Sequence, residues 1–245
     1  MKVTVLGCGN AFNHGGNGHS SYLINTSLDY TVLLDAGATI LLSLEQQGIS
    51  AADIDEVLIT HLHGDHFGGL PYILLSALYD KPRRKPLIIR GPAGCKDKTS
   101  QLTELLYPGV WHKIQGLPIR WVDYIAKKET ATPWGSFEAL PVAHSQASNP
   151  HGFRLQFGSG AIGFSGDSAW HPNLIKLADN TQIFFCDCSF YNEGTPGHLS
   201  YSEILHLQKK LNTRQLILTH LGQEVLEKEE VIALKLAKAG GTYIL

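Results

Sequence analysis

The sequence predicts an α/β protein in which two sheets pack face to face with helices outside. Apolar, strand-like runs followed by helix-like segments recur in both halves of the chain. Several of those runs end in a histidine or an aspartate, and α/β folds build their sites at the carboxyl ends of strands. At 245 residues, 43% hydrophobic and 17% charged, the chain has the composition of a globular protein with a sizeable core. It reads as one unit, residues 1–245, with no repeat or linker.

Residues 2–6 form the first expected strand. They begin too soon after Met1, and turn polar too quickly, for a signal peptide. No run of about 18 apolar residues occurs, so no membrane span is expected, and the chain reads as cytoplasmic. Residues 7–19 are too glycine-rich for regular structure. Their backbone could approach an anion closely, and a flexible loop is the equal alternative. His14 and His19 read there as polar loop residues, with substrate contact the alternative. Residues 20–25 and 30–34 read as strands. The second ends in Leu34-Asp35-Ala36-Gly37, where Asp35 either orients a neighbouring histidine or caps a helix over 38–47.

Residues 56–60 read as a buried strand leading into Thr60-His61-Leu62-His63-Gly64-Asp65-His66. Four ligand-type side chains fall within six residues. In extended chain, residues i and i+2 point the same way, so His61 and His63 can share one metal. Asp65 and His66 follow on the turn and face elsewhere, so two adjacent metals are the natural solution, each completed from further along the chain. A helix is expected from Asp65 to about residue 80. It is apolar enough for the core or an interface. A basic turn (81–86), a strand (87–90) and a helix (94–107) follow. The basic turn 81–86 is a solvated loop by default and could steer phosphate if it overhangs the site, and the wider basic segment 81–98 is a candidate substrate contact. Residues 111–124 are mixed, with a strand near 119–124.

Residues 137–144 read as a strand ending in His144. Residues 152–157 and 161–168, joined by Gly158-Ser159-Gly160, carry a hairpin signature and end near Asp167. Residues 181–188 form a buried strand containing Asp187, a buried acid that needs a partner. Gly197-His198-Leu199-Ser200 opens a helix over 201–211. Residues 214–220 are one more strand, ending in His220. A last helix over 224–239 and a strand over 242–245 finish the chain. His112 has no assigned role. His171 and His206 read as surface or packing residues.

The formal charge of −2 offers no general attraction to nucleic acid. Cys8, Cys95, Cys186 and Cys188 lack zinc-knuckle spacing. Cys186 and Cys188 lie in an apolar run and read as buried thiols.

His-x-His-x-Asp-His after an apolar strand resembles the metallo-β-lactamase superfamily, and the likeness extends from Leu6 to His220. It implies a four-layer αβ/βα sandwich of two mixed sheets with helices on the outer faces. It favours the orienting role for Asp35, because Leu-Asp-Ala-Gly is similar to the superfamily's first motif. It implies seven metal positions. His144 would join His61 and His63 on one ion, His220 would join Asp65 and His66 on the other, and Asp167 would bridge. The donors are mainly imidazole, which suits two Zn²⁺, with Mn²⁺ the alternative. Such a pair can share a hydroxide ionised near neutral pH, which makes the chain a hydrolase.

Cys186-Asp187-Cys188-Ser189-Phe190 with Gly197-His198-Leu199-Ser200 resembles the paired motifs of the ribonuclease Z branch, although Cys186 stands where that branch usually has histidine. Carried over, Asp187 would orient and charge His198, which would protonate a leaving alkoxide or hold a phosphate oxygen. Asp65, Asp187 and His198 are the candidate catalytic residues. Ribonuclease Z carries a long tRNA-gripping arm between the positions of His144 and Asp167. Here 22 residues separate them. The expectation is therefore a phosphodiesterase acting on a small cyclic or short nucleotide, similar to the phosphonate-pathway cyclic phosphodiesterase. That enzyme's extra cysteine-rich zinc site cannot be formed by Cys8 alone. A tRNA 3′-end endonuclease lacking the arm is the alternative, and a binding or biosynthetic relative of the same fold is a third reading. A β-lactamase or thioesterase fits the Asp187/His198 pair less well. The resemblance also implies a homodimer.

Overall fold

Leu33 and Leu34 are neighbours in an extended run, and both are fully buried. Successive strand residues face opposite ways, so both faces of that strand must be covered. The same holds for Phe184 and Phe185 in the second half of the chain. Two sheets packed on each other, each with helices behind it, satisfy both.

The computed structural model describes residues 1–83, 85–158 and 160–245. Arg84 of the expected basic turn and Ser159 of the expected hairpin turn lie outside the described residues. The strands are β1 (Lys2–Gly7), β2 (Ser21–Asn25), β3 (Thr31–Leu34), β4 (Glu56–Leu58), β5 (Leu87–Gly91), β6 (Ile119–Asp123), β7 (Glu129–Thr132), β8 (Gly135–Pro141), β9 (His151–Phe157), β10 (Gly160–Phe164), β11 (Ile183–Asp187), β12 (Leu216–Thr219), β13 (Lys235–Leu236) and β14 (Thr242–Ile244). The helices are α1 (Ile40–Gln46), α2 (Gly64–Phe67), α3 (Leu70–Leu75), α4 (Cys95–Leu106), α5 (Val110–Ile114), α6 (Asn173–Ala178), α7 (Tyr201–Leu207) and α8 (Gln223–Glu227).

One sheet runs β14-β1-β2-β3-β4-β5-β6 and the other β13-β12-β11-β10-β9-β8-β7. Each is mixed. Pairing is antiparallel from β14 to β3 and parallel from β3 to β6. In the second sheet it is antiparallel from β7 to β10 and parallel from β10 to β13. Parallel neighbours need crossovers, and the helices supply them. Leu34, Leu58 and Val5 meet Phe153, Phe164 and Phe185 in one core between the sheets. Leu33 and Val57 face Ile40, Leu44 and Leu70 behind the first sheet. Phe184 and Leu218 face Leu177, Ile204 and Val225 behind the second. This is the expected four-layer αβ/βα sandwich. Each fully buried Leu or Phe contributes about 1.5–3 kcal/mol, so the inter-sheet core is the main adhesive between the halves.

Several expectations are corrected. The helix expected from Asp65 to residue 80 is split into α2, α3 and a π turn at Ser76–Asp80. Gly68 and Gly69 interrupt it because the chain passes too close to its neighbours there. A Cβ on Gly69 would lie 2.3 Å from the Gly37 carbonyl oxygen. The helix expected over 224–239 ends with α8. Leu236 enters the outer core and Ala237 the inner one, the alternation of an edge strand, and Leu218 pairs with Leu236. Strand β8 stops at Pro141, three residues short of His144. Strand β7, residues 129–132, is absent from the expected elements. Among the described residues, no helix is long and apolar enough to cross a membrane.

Candidate metal centre

Chain entry to the centre is controlled by Asp35, which follows β3 in the left-handed backbone region at φ 56°. Its carboxylate accepts from the Thr60 amide and the Thr60 hydroxyl, both at 2.8 Å, and from His66 Nδ1 at 2.7 Å. It does not cap α1, whose N-cap Thr39 makes no side-chain capping bond. The main chain locks the same turn: Ala36 N–H donates to the His66 carbonyl at 2.7 Å. Gly37 has no room for a side chain, since a Cβ there would lie 2.3 Å from the Asp65 carbonyl oxygen. So Leu34-Asp35-Ala36-Gly37 is the seat on which His61 to His66 is built.

All seven candidate ligands converge. One set is His61, His63, His144 and Asp167, the other Asp65, His66, Asp167 and His220, and within each the donor atoms lie within 4.8 Å of one another. Asp167 belongs to both. Its Oδ1 is 3.1 Å from His66 Nε2, and its Oδ2 is 3.2 Å from His220 Nε2 and 3.6 Å from His61 Nε2. Asp65 Oδ2 lies 3.2 Å from His220 Nε2.

The donor set fits metal ions on an observation of its own. The Nε2 atoms of His61 and His66 are buried and make no hydrogen bond. Buried polar atoms left unpaired are costly, and these two are aimed at carboxylate oxygens. Their Nδ1 atoms are engaged from behind: His66 by Asp35, and His61 by the Thr60 hydroxyl at 3.0 Å. His144 Nδ1–H donates to the Gly197 carbonyl at 2.9 Å, which leaves its Nε2 bare 2.9 Å from His63 Nδ1. Orienting bonds of this kind are what metal-ligating imidazoles need.

Charge is arranged in the same sense. Burial lowers the His61 imidazole well below its ordinary value, and a charged His66 adds to this. Burial likewise lowers His63 and His144. Neutral imidazoles are the ligating form. Burial opposes charge on His220 too, but Asp167, Asp187 and Asp65 together outweigh it and push the group up to about 10. Burial alone would raise Asp167, yet His220 and His66 hold it well below the usual carboxylate range. The carboxylates of Asp65 and Asp167 thus favour positive charge at the centre, which a divalent cation would supply.

Asp187 ends β11, fully buried, and its Oδ2 accepts His198 Nδ1–H at 2.8 Å. Against burial, this carboxylate raises the His198 imidazole above its ordinary value. The His198 ring stacks on His220 with centroids 5.1 Å apart and meets His144 edge-on at 4.8 Å. The pair therefore borders both ligand sets.

Other histidines stay outside the sets. His19 Nε2 lies 2.8 Å from Asn13 Nδ2 within its own loop. His171 Nδ1 accepts from the Asn173 amide, and His206 Nδ1 donates to the Ser202 carbonyl. The glycine-rich loop supports the centre through backbone: Leu221 N–H donates to the Cys8 carbonyl at 2.9 Å, directly after His220, whose φ is 55°. In the basic segment, Lys81 pairs with Glu45, Lys85 with Asp55, and Arg83 donates to the carbonyls of Ala51 and Ile54. Sequence reasoning passed over the hydroxyls of Thr60 and Ser189. Their only signal was position, next to a ligand or two residues after a buried acid.

Fold and site together define a divalent-metal-dependent hydrolase of the metallo-β-lactamase fold. The chain belongs to the family described as Anti-Pycsar protein Apyc1, which it matches over residues 1–243. It is 25% identical over 268 residues to the Anti-Pycsar protein Apyc1 of Bacillus phage 010DV004, covering 100% of this chain and 98% of that one. It is 23% identical over 259 residues to a ribonuclease Z of Pyrobaculum aerophilum, covering 93% and 89%. The crystal structure of YhfI from Bacillus subtilis, a metallo-β-lactamase fold protein, superposes with a TM-score of 0.80 at 22% identity, covering 99% of each chain.

Proposed function

We propose that residues 1–245 form one two-metal phosphodiesterase unit acting on a small cyclic or short nucleotide. The observation that carries this reading is the Asp187–His198 pair, set against both ligand sets with its imidazole partly open to solvent. A phosphodiester loses an alkoxide, which leaves poorly without a proton. His198 is placed to provide one.

His61, His63 and His144 would hold one ion and Asp65, His66 and His220 the other, with Asp167 within reach of both. Imidazole-rich donors favour Zn²⁺, with Mn²⁺ the alternative. When bound, the ions supply Lewis acidity and a water that ionises near neutral pH. The chain's own residues do the rest. Asp65 can take a proton from the attacking water. Asp187 holds His198 Nδ1–H, so the Nε2 proton of the imidazolium faces the leaving oxygen. A new P–O bond forms from water, the ester P–O bond breaks, and the alkoxide takes the His198 proton.

Substrate size follows from what borders the centre. Between His144 and Asp167 the chain is taken up by β9, β10 and a short 3-10 turn at Gln146–Ser148. The net charge is −2, and Lys81, Arg83 and Lys85 bind nearby protein groups. These features favour a small substrate over a long polyanion.

The test is turnover of 3′,5′-cyclic nucleotides and bis(p-nitrophenyl) phosphate by Zn²⁺- and Mn²⁺-loaded protein, beside cleavage of a precursor tRNA. Turnover of the small diesters alone supports this reading. Efficient, salt-sensitive tRNA cleavage would favour the ribonuclease Z-like alternative. Inertness to every phosphodiester would contradict both.

A further inference from the structure

We infer that Ser189 is a positioning residue whose hydroxyl sets the tautomer of His220 and ties that ligand to the carboxylate holding His198. The inference rests on the metal-centre reading above and is independent of the substrate.

Ser189 lies two residues beyond the end of β11, with 6% of its surface exposed. Its Oγ is 2.9 Å from Asp187 Oδ1, 2.8 Å from His220 Nδ1, 3.1 Å from the His220 carbonyl oxygen and 3.4 Å from His198 Nδ1. A hydroxyl has one proton to give and lone pairs to receive. The Asp187 carboxylate can only accept. When the Ser189 proton goes to Oδ1, the oxygen is free to accept Nδ1–H from His220. The Nε2 of His220 then carries no proton. That nitrogen faces Asp65 Oδ2 and Asp167 Oδ2, each at 3.2 Å. With the opposite tautomer, Ser189 would donate to Nδ1, Asp187 Oδ1 would lose its donor, and Nε2–H could not ligate. The direction of one hydroxyl decides whether His220 belongs to the centre.

The other half of the chain repeats the arrangement. Thr60 Oγ1 donates to Asp35 Oδ2 at 2.8 Å and lies 3.0 Å from His61 Nδ1. Asp35 also holds His66 directly at 2.7 Å, as Asp187 holds His198 at 2.8 Å. Each half therefore has one acid, one hydroxyl and two histidines. In the first half both histidines are in ligand sets. In the second, one is a ligand and the other is the candidate acid. Asp187 Oδ1 lies 3.7 Å from His220 Nδ1, beyond a direct hydrogen bond, and Ser189 bridges that gap.

The backbone fixes Ser189 where this works. Its N–H donates to the Leu199 carbonyl at 3.1 Å, next to His198. Its carbonyl packs on Gly222, where a Cβ would lie 2.0 Å away.

The experiment is chelator competition for Zn²⁺ on wild type, Ser189→Ala and Ser189→Thr, with turnover of bis(p-nitrophenyl) phosphate at saturating Zn²⁺. Ser189→Ala is expected to weaken one of the two ions about 10–100-fold and to lower kcat by a similar factor, with KM little changed. Ser189→Thr keeps the hydroxyl and is expected to restore both. Zinc affinity and kcat within about twofold of wild type in Ser189→Ala would overturn the inference. Equal loss in both variants would do so too, because volume rather than the hydroxyl would then matter. Should Ser189→Ala not fold, side-chain ¹⁵N spectra of Zn²⁺-loaded wild type decide: an Nδ1–H tautomer for His220 supports the inference, and Nε2–H overturns it. A wild type that binds no zinc would contradict the metal-centre reading along with it. Normal zinc binding without diester turnover would touch only the proposed substrate.

Discussion

The Nδ1–H of His144 donates to the carbonyl of Gly197, 2.9 Å away, one residue before His198. A ligand of the first set is thereby oriented by the loop that carries the candidate acid. Gly197 sits at φ 125°, and a Cβ there would lie 2.8 Å from His144 Nδ1. Gly197→Ala should therefore displace both histidines. Backbone strain of this kind costs on the order of 1–3 kcal/mol. The expected outcome is a fall in kcat of at least tenfold together with weaker binding of one zinc ion, measured by steady-state kinetics and chelator competition.

Asp35 touches neither ligand set's open side, yet it holds His66 and Thr60. Asp35→Asn keeps the shape but replaces one acceptor oxygen with a donor. Metal affinity should fall about 10–100-fold, with the fold intact by circular dichroism.

Asp187→Asn should lower kcat by about 10²–10⁴ at saturating zinc, because His198 loses the partner that fixes its proton, and should weaken one zinc ion through the Ser189–His220 link. The double variant Asp187→Asn/His198→Ala should lose far less than the product of the two single losses. Groups that act as a unit are not additive.

A pH effect on stability is expected from His151, which belongs to neither ligand set. His151 is buried beside Tyr124, and burial lowers its imidazole below the ordinary 6.5. The unfolded chain then binds the proton more readily than the folded one. Stability is lost as pH falls through about 6.5 and onward to the depressed folded value. Thermal melts of zinc-loaded protein between pH 7.5 and pH 5, windows on the order of the ordinary histidine range, should show this loss, and His151→Phe should reduce it.

Much of the centre was legible because it is local or lies at strand ends. His61 to His66 occupy six consecutive positions, and Asp35, His144, Asp167, Asp187 and His220 each follow an apolar run that becomes a strand. Thr60 and Ser189 were not legible as partners. Thr60 meets Asp35 25 positions earlier, and Ser189 meets His220 31 positions later, so only the fold brings them together. The end of the chain misled for a related reason. Residues 224–239 carry apolar side chains at spacings that suit a helix, but Leu236 and Ala237 find a sheet edge beside β12. Two glycines split the helix after His66 because the centre needs the chain to pass close to Gly37 there.

The most direct test is zinc content and turnover measured together on wild type and His198→Ala, with bis(p-nitrophenyl) phosphate and a 3′,5′-cyclic nucleotide as substrates. The account predicts two ions per chain in both proteins, turnover in the wild type, and a loss of about 10²–10⁴ in the variant. Two ions with no turnover in the wild type, or full turnover in His198→Ala, would contradict it.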